Sequence, residues 1–134
     1  MADQVQGRCL CGAVTFETDA VPTAQILCYC SDCQSVSGGP AYAAYLVPLA
    51  NVALLSGEVS AFTVTGESGR QNTRKFCTQC GSRVWAEIPE LSMASVSGFA
   101  LPRGHFRPEG LHRAGNAPDW CVLDERLPAF PPEA

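Results

Sequence analysis

The sequence has no long hydrophobic run. No apolar stretch approaches the roughly 18 residues that a membrane-spanning helix needs. The N-terminal residues MADQVQGRCLCG contain no apolar core of the ~7–15 residues typical of a secretory signal. We therefore expect a soluble, cytoplasmic protein that has no membrane partner.

Basic residues are also scarce. The chain has nine Lys and Arg residues against 13 Asp and Glu residues, and its formal net charge is −4. Phosphate binding needs a surplus of Lys and Arg on one face of a protein, whereas the basic residues here are scattered along the chain. The composition therefore argues against a nucleic-acid partner.

Cysteine, in contrast, is abundant, with eight residues in a chain of 134. This content lies below the roughly 8–10% typical of a short disulfide scaffold, and the cytoplasm keeps thiols reduced. The cysteines are therefore expected to be free thiols, metal ligands or redox groups rather than stable disulfides.

The pattern of short segments indicates a mainly β domain. Segments rich in β-branched and aromatic residues are separated by Gly, Pro, Asn or Ser and occupy residues 13–18, 41–47, 59–65, 83–88 and 93–97. We predict several short, coiled antiparallel β-sheets stapled by zinc, and little helix. The segment SDCQSV is expected to form one short helical turn with Ser31 as its N-cap.

Two close pairs of cysteines favour one structural zinc site. Cys77 and Cys80 form a C-x-x-C motif followed by Gly, and Cys9 and Cys11 form a C-x-C motif. The four thiolates would complete a closed tetrahedral zinc site. Two alternatives stay open, namely a redox C-x-x-C centre, which would begin a helix, and pairs of buried free thiols.

A third group of cysteines differs from the first two. Cys28, Cys30 and Cys33 lie within six positions, and three protein ligands with an open fourth position are typical of a catalytic zinc. Asp32 or Cys121 could close this site, although Cys121 is better interpreted as a small core residue. For His105 and His112 the simplest interpretation is that of solvated loop residues, given the surrounding Pro, Gly and Arg.

Taken together, the motifs resemble a known family. The segments GRCLCGAVTFE, CYCSDCQSVSGG, YLVP, RKFCTQCGSRVW and PDWCVLDERLPAF occur in the order typical of the glutathione-dependent formaldehyde-activating enzyme family, also called the centromere protein V family. The resemblance spans about residues 5–130, which we predict to be a single zinc-binding domain followed by a tail at residues 131–134. It implies a fold of the folded-leaf type.

The resemblance also implies a cofactor and an activity. It implies two zinc ions per chain, a structural one at Cys9, Cys11, Cys77 and Cys80 and a functional one at Cys28, Cys30 and Cys33. The implied enzyme is a carbon–sulfur lyase that joins formaldehyde to glutathione as S-(hydroxymethyl)glutathione. Its partners would be a small thiol such as glutathione and an aldehyde.

The sequence departs from the family pattern after the third cysteine of the loop. Many members have basic residues there, whereas this chain has Gln34 and Ser35. Recognition of the two carboxylates of glutathione would need Arg or Lys nearby. Candidates for that role by composition are Arg70, Arg74, Lys75, Arg83 and Arg103, and surface solvation is the simpler interpretation of each.

Three functional hypotheses remain open at this point. The first is an enzyme acting on a thiol–aldehyde adduct at the second zinc. The second is a zinc-stabilised binding or chaperone-like module without catalysis, in which a closed second tetrahedron would be expected. The third is a cysteine redox or metal-sensing switch, because a metal-free CYCSDC segment would be oxidisable. Access to the second zinc distinguishes the first two.

Overall fold

The computed structural model describes residues 3–130, and the tail predicted at residues 131–134 lies outside them. In chain order the elements are β1 (Gln4–Arg8), β2 (Thr15–Asp19), β3 (Ala24–Cys28), α1 (Ser31–Ser37), β4 (Tyr42–Pro48), β5 (Ala53–Ser56), β6 (Val59–Thr65), β7 (Gln71–Cys77), β8 (Arg83–Ile88), β9 (Met93–Ser97) and β10 (Gly110–His112). Single 3₁₀ turns connect several of these elements. The prediction of a mainly β fold with little helix is confirmed.

The strands form two open sheets. The smaller sheet has the order β1-β2-β5, and the larger has the order β10-β3-β4-β9-β8-β7-β6. Neighbouring strands are antiparallel except β10, which runs parallel to β3. Within residues 3–130, no helix is long and apolar enough to cross a membrane.

Strands that begin and end at clear turn residues were predicted best. The predicted segments 59–65, 83–88 and 93–97 coincide with β6, β8 and β9, whereas segments 13–18 and 41–47 are shifted by one or two residues from β2 and β4. Five strands were missed, namely β1, β3, β5, β7 and β10. Strand β7 has the polar sequence QNTRKFC, and it is held by its partners β6 and β8 rather than by local propensity.

One face of the larger sheet packs into the main core. Tyr45 and Val47 of β4 point into this core and are fully buried, together with Phe16 of the smaller sheet. The ring of Phe16 lies 5.4 Å from the ring of Trp85 in β8. Side chains alternate between the two faces of a strand, so the intervening residues of β4 must lie on the opposite face.

The opposite face of the larger sheet is where the second group of cysteines lies. In the β3–β4 ladder, Cys28 pairs with Tyr42, Ile26 with Ala44, and Ala24 with Leu46. Because directly paired residues share a face, Cys28 stands at one end of a mostly apolar surface. This register positions the candidate site described below.

His105 helps to join the two sheets. The Tyr45 hydroxyl donates a hydrogen bond to the Asp19 carbonyl at 2.6 Å and also lies 3.0 Å from Nε2 of His105. The same imidazole lies 3.1 Å from the Ala20 carbonyl. The interpretation of His105 as a solvated loop residue was therefore wrong, since the imidazole is a half-buried structural group.

Candidate metal centres

The first cluster consists of Cys9, Cys11, Cys77 and Cys80. Their four sulfur atoms lie within 4.8 Å of one another. Cys9 and Cys11 lie in the turn from β1 to β2, whereas Cys77 ends β7 and Cys80 lies in the turn that leads to β8. The cluster therefore connects the two sheets through residues that are far apart in sequence.

The sulfur spacing of the first cluster fits a tetrahedral metal. Zn–S bonds of about 2.3 Å at tetrahedral angles place two sulfurs roughly 3.8 Å apart. The observed distances are 3.6 Å between Cys9 and Cys11 and 3.8 Å between Cys11 and Cys77. These four residues could hold one ion.

Backbone amides and a hydroxyl support anionic sulfur in the first cluster. The amide of Val14 donates to the Cys9 sulfur at 3.3 Å, and the amide of Gln79 donates to the Cys77 sulfur at 3.3 Å. A hydrogen bond from Ser82 lowers the pKa of Cys80 to about 5. Thiolates are the forms that bind metals.

The turn between β7 and β8 has the geometry of a zinc knuckle rather than that of a redox centre. Gly81 has a φ of +79°, a conformation that residues with a Cβ rarely adopt. Its amide donates to the Cys77 carbonyl at 2.9 Å and closes the turn. The chain then enters a strand and not a helix, which disagrees with the redox interpretation of the C-x-x-C motif.

The second cluster consists of Cys28, Cys30 and Cys33, whose sulfurs also lie within 4.8 Å of one another. Cys28 ends β3, and Cys33 lies in the first turn of α1. Cys30, not Ser31 as predicted, is the N-cap of α1, and its sulfur accepts a hydrogen bond from the Cys33 amide at 3.4 Å. The helix cap therefore orients the Cys30 sulfur, and the first turn of α1 places Cys33 beside it.

The three thiols of the second cluster share one negative charge when no metal is bound. Hydrogen bonds from Cys28 and Cys33 to the Cys30 sulfur lower the pKa of Cys30 to about 2. The same interaction with Cys30 raises the pKa of Cys28 to about 11. The pKa of Cys33 is also raised, by the hydrogen bonds to Cys28 and Cys30 and by burial. A metal that binds here must therefore displace protons from Cys28 and Cys33.

Arg74 is a buried cation beside the second cluster. Its side chain is only 6% exposed, and its Nη2 atom lies 4.0 Å from the Cys33 sulfur. The guanidinium also lies over the Tyr42 ring, 5.9 Å from the centroid. Between residues 3 and 130 no carboxylate forms an ion pair with it, and its Nε atom has no partner. The interpretation of Arg74 as a solvated surface residue was therefore wrong.

His112 also lies at the second cluster and not in a solvated loop. Strand β10 pairs with β3 so that His112 stands opposite Cys28, and its Nδ1 atom lies 3.3 Å from the Cys28 sulfur. Local sequence pattern contains no signal of this proximity, because it does not show that two strands so far apart in the chain pair in parallel.

Neither residue that the sequence suggested as a fourth ligand of the second cluster belongs to it. Among the residues that the structure describes, the group of mutually close ligand atoms contains the three cysteines but neither Asp32 nor Cys121. Asp32 lines the adjacent cavity. Cys121 is half-buried and is therefore not the buried core residue that the sequence suggested.

A cavity of about 470 Å³ opens beside the second cluster. The three cysteines, Tyr42 and Arg74 lie at one end of it. One face of the larger sheet forms its wall, with the apolar side chains of Ala24, Ile26, Ala44, Leu46, Ile88 and Met93. Polar residues also line the cavity, among them Asp32, Ser68, Arg70, Gln71, Asn72 and Ser95. A larger groove of about 1240 Å³ borders Cys9 and none of the cysteines of the second cluster.

The fold and the two clusters define a small β protein with two candidate metal centres. The chain belongs to the glutathione-dependent formaldehyde-activating enzyme family, whose model matches residues 4–111. It is similar to a Halomonas elongata protein named "Putative glutathione-dependent formaldehyde-activating enzyme", with 33% identity over 138 aligned positions, 91% of this chain and 82% of the relative.

A solved structure shows the same fold. The crystal structure of a Rhodobacter sphaeroides protein aligns over 93% of this chain and 99% of its own length, with a TM-score of 0.61 and 16% sequence identity. At that identity the likeness extends to the fold alone.

Proposed function

We propose that this protein is a zinc-dependent carbon–sulfur lyase or synthase that acts on a thiol–aldehyde adduct and resembles S-(hydroxymethyl)glutathione synthase. The first cluster would hold a structural zinc, and the second would hold a working zinc with an open fourth position. The observation that carries the proposal is the cavity, since it reaches three mutually close cysteines that no fourth ligand from Asp32 or Cys121 closes.

The donor set of the second cluster suits thiol chemistry. Zinc bound there would lower the pKa of an incoming thiol and so supply a thiolate at neutral pH. The three cysteines would fill three positions of a tetrahedron and leave the fourth facing the cavity. Cys30 would be held by its N-cap hydrogen bond, and Cys28 by the end of β3.

Arg74 would offset the charge of this site. Three thiolates and one Zn²⁺ ion carry a net charge of about −1, which disfavours the approach of a further thiolate. The Arg74 guanidinium, 4.0 Å from the Cys33 sulfur, adds one positive charge in a buried place where solvent screens it little. The site with Arg74 is then neutral before the substrate thiol enters.

The proposed reaction is an addition that needs no redox partner. The substrate sulfur forms a bond to the carbonyl carbon of the aldehyde, the carbonyl π bond breaks, and the oxygen takes up the proton that the thiol has lost. The reverse direction breaks the same carbon–sulfur bond. Burial of the cysteines beside an apolar wall keeps bulk water away from the reacting sulfur.

The test combines metal content with an exchange rate. Thiols add to formaldehyde without a catalyst, so the rate of interconversion at equilibrium is measured by exchange NMR with glutathione and several other thiols. We expect two zinc ions per chain and an accelerated exchange that Cys30→Ser abolishes, whereas Cys121→Ser, which changes a cysteine outside both clusters, keeps it. No acceleration with any thiol in the two-zinc protein would refute the proposed function.

A further inference from the structure

The wall of the cavity differs from what a charged tripeptide needs. On the sheet face beside Cys28, the cross-strand pairs are Ile26 with Ala44 and Ala24 with Leu46, and Met93 and Ile88 pair on the neighbouring strands. All six side chains are apolar and make up most of the wall, which Ser95 and Asn72 interrupt with polar groups. The backbone of these strands is engaged in the sheet ladder, so it offers no free hydrogen-bonding groups along the wall.

The charged residues around the cavity are largely committed to other partners. Arg113 forms an ion pair with Glu67 at 3.1 Å, and Arg74 lies against the Cys33 sulfur and the Tyr42 ring. Of the arginines that line the cavity, this leaves Arg70, which lies in the loop before β7. Arg74 has no carboxylate partner among residues 3–130 either, but in the proposed function its charge offsets that of the zinc–thiolate site. Of the described arginines of the cavity, Arg70 is then left for the two carboxylates of glutathione.

We infer that the second site selects a thiol with an apolar carbon chain over glutathione. The inference rests on the proposed function, because it takes the thiol sulfur to the open position at Cys28, Cys30 and Cys33. The carbon chain then extends along Ile26, Ala44 and Leu46. Glutathione in the same place would bury amide groups against this wall without hydrogen-bond partners, which weakens its binding.

The cavity volume agrees with a ligand of this kind. Pockets for small organic ligands have volumes of roughly 300–1,000 Å³ and walls that are mainly apolar with a few polar groups. The volume of about 470 Å³ lies in this range, and the accessible lining is mainly apolar. Formaldehyde alone would leave most of the cavity unfilled.

The test measures thiol binding without turnover. Protein loaded with Co²⁺ is titrated with ethanethiol, butanethiol and hexanethiol, and the thiolate-to-cobalt absorption bands report ligation. Burial of each methylene group is expected to tighten binding about fourfold, so hexanethiol should bind on the order of a hundredfold more tightly than ethanethiol. Glutathione and an ether thiol of the same length as hexanethiol should bind as weakly as ethanethiol or more weakly.

Two polar variants test the wall itself. Met93→Gln keeps the side-chain size, Ile26→Thr replaces an ethyl group with a hydroxyl, and each should flatten the dependence of binding on chain length. Leu55→Gln, at a half-exposed position in the smaller sheet, is the matched control and should keep it. Having two wall variants keeps the test valid if one of them fails to fold.

The possible results separate this inference from the proposed function. If no thiol changes the cobalt spectrum, the open position is wrong and the proposed function fails with it. If thiols bind but the affinity does not depend on chain length, or glutathione binds as tightly as hexanethiol, the inference is overturned and the proposed function stands. An unchanged chain-length dependence in both wall variants would also overturn it.

Discussion

Loss of one sulfur from the first cluster is expected to destabilise the protein more than loss of one sulfur from the second. The substitutions are Cys80→Ser and Cys30→Ser. Cys11 and Cys77 in the first cluster are 66 positions apart, whereas the second cluster lies within six residues. The first cluster therefore restricts a much longer loop of the unfolded chain.

The size of the difference follows from the two loop lengths. Closing a loop costs entropy that grows as (3/2)RT ln n, so the longer loop accounts for roughly 2 kcal/mol more than the shorter one. In a domain of this size, 1 kcal/mol corresponds to roughly 3–5 °C in Tm. Cys80→Ser should therefore melt roughly 6–10 °C below Cys30→Ser.

Thermal unfolding followed by circular dichroism, with zinc content measured on the same samples, checks this expectation. Cys30, Cys80 and Cys121 are all half-buried, so exchanging sulfur for oxygen disturbs packing to a similar extent at each. Cys121→Ser serves as the control and should keep both zinc ions and the parental Tm. Equal Tm values for Cys30→Ser and Cys80→Ser would refute the division between a structural and a working site.

Three further outcomes are expected. Arg74→Gln should weaken zinc binding at the second cluster roughly 10–100-fold, as measured by chelator competition. Lys75→Gln, on the same strand, is the control and should leave the zinc affinity unchanged. An unchanged zinc affinity in Arg74→Gln would show that Arg74 does not offset the charge of the site. Zinc binding to the second cluster at pH 7 should release two protons, because the raised pKa values keep Cys28 and Cys33 protonated and the lowered pKa keeps Cys30 ionised. The zinc affinity should then rise about 100-fold per pH unit. Calorimetry in buffers of different ionisation enthalpy counts the released protons, and a count of three would contradict this. Gly81→Ala should lower the free energy of unfolding by about 1 kcal/mol because Gly81 has a φ of +79°. Gly115→Ala is the control, since an added Cβ would meet open space at both positions and only Gly81 has a positive φ. Denaturant titration should show almost no change for Gly115→Ala.

The composition of both clusters was predictable because the spacing is local. Cys77 and Cys80 form a recognisable knuckle, and three cysteines in six residues indicate a shared ion whatever the surrounding fold. The pairing of Cys9 and Cys11 with the knuckle needed the assumption that two close pairs share one metal. The structure brings these four sulfurs together.

The surroundings of the second cluster were not predictable, because they depend on strand pairing. Arg74 is buried because β7 pairs with β8 so that Arg74 stands opposite Ala86, and its neighbours in sequence give no sign of this. His112 approaches Cys28 through a three-residue parallel strand. The apolar wall combines alternate residues of β3, β4, β8 and β9, of which β3 was missed from the sequence, and it exists only once these strands pair.

Retention of zinc by the second cluster tests the central claim most directly. Zinc loss to a chelator is followed with and without glutathione, 2-mercaptoethanol or hexanethiol, in the parent and in Cys30→Ser. An added thiol that supplies the fourth ligand should slow zinc loss from the parent and not from the variant, and by linkage zinc should raise thiol affinity by the same factor. If thiols leave the parental rate unchanged, or slow zinc loss equally in Cys30→Ser, the second cluster is not an open thiol-binding site and the proposed function is wrong.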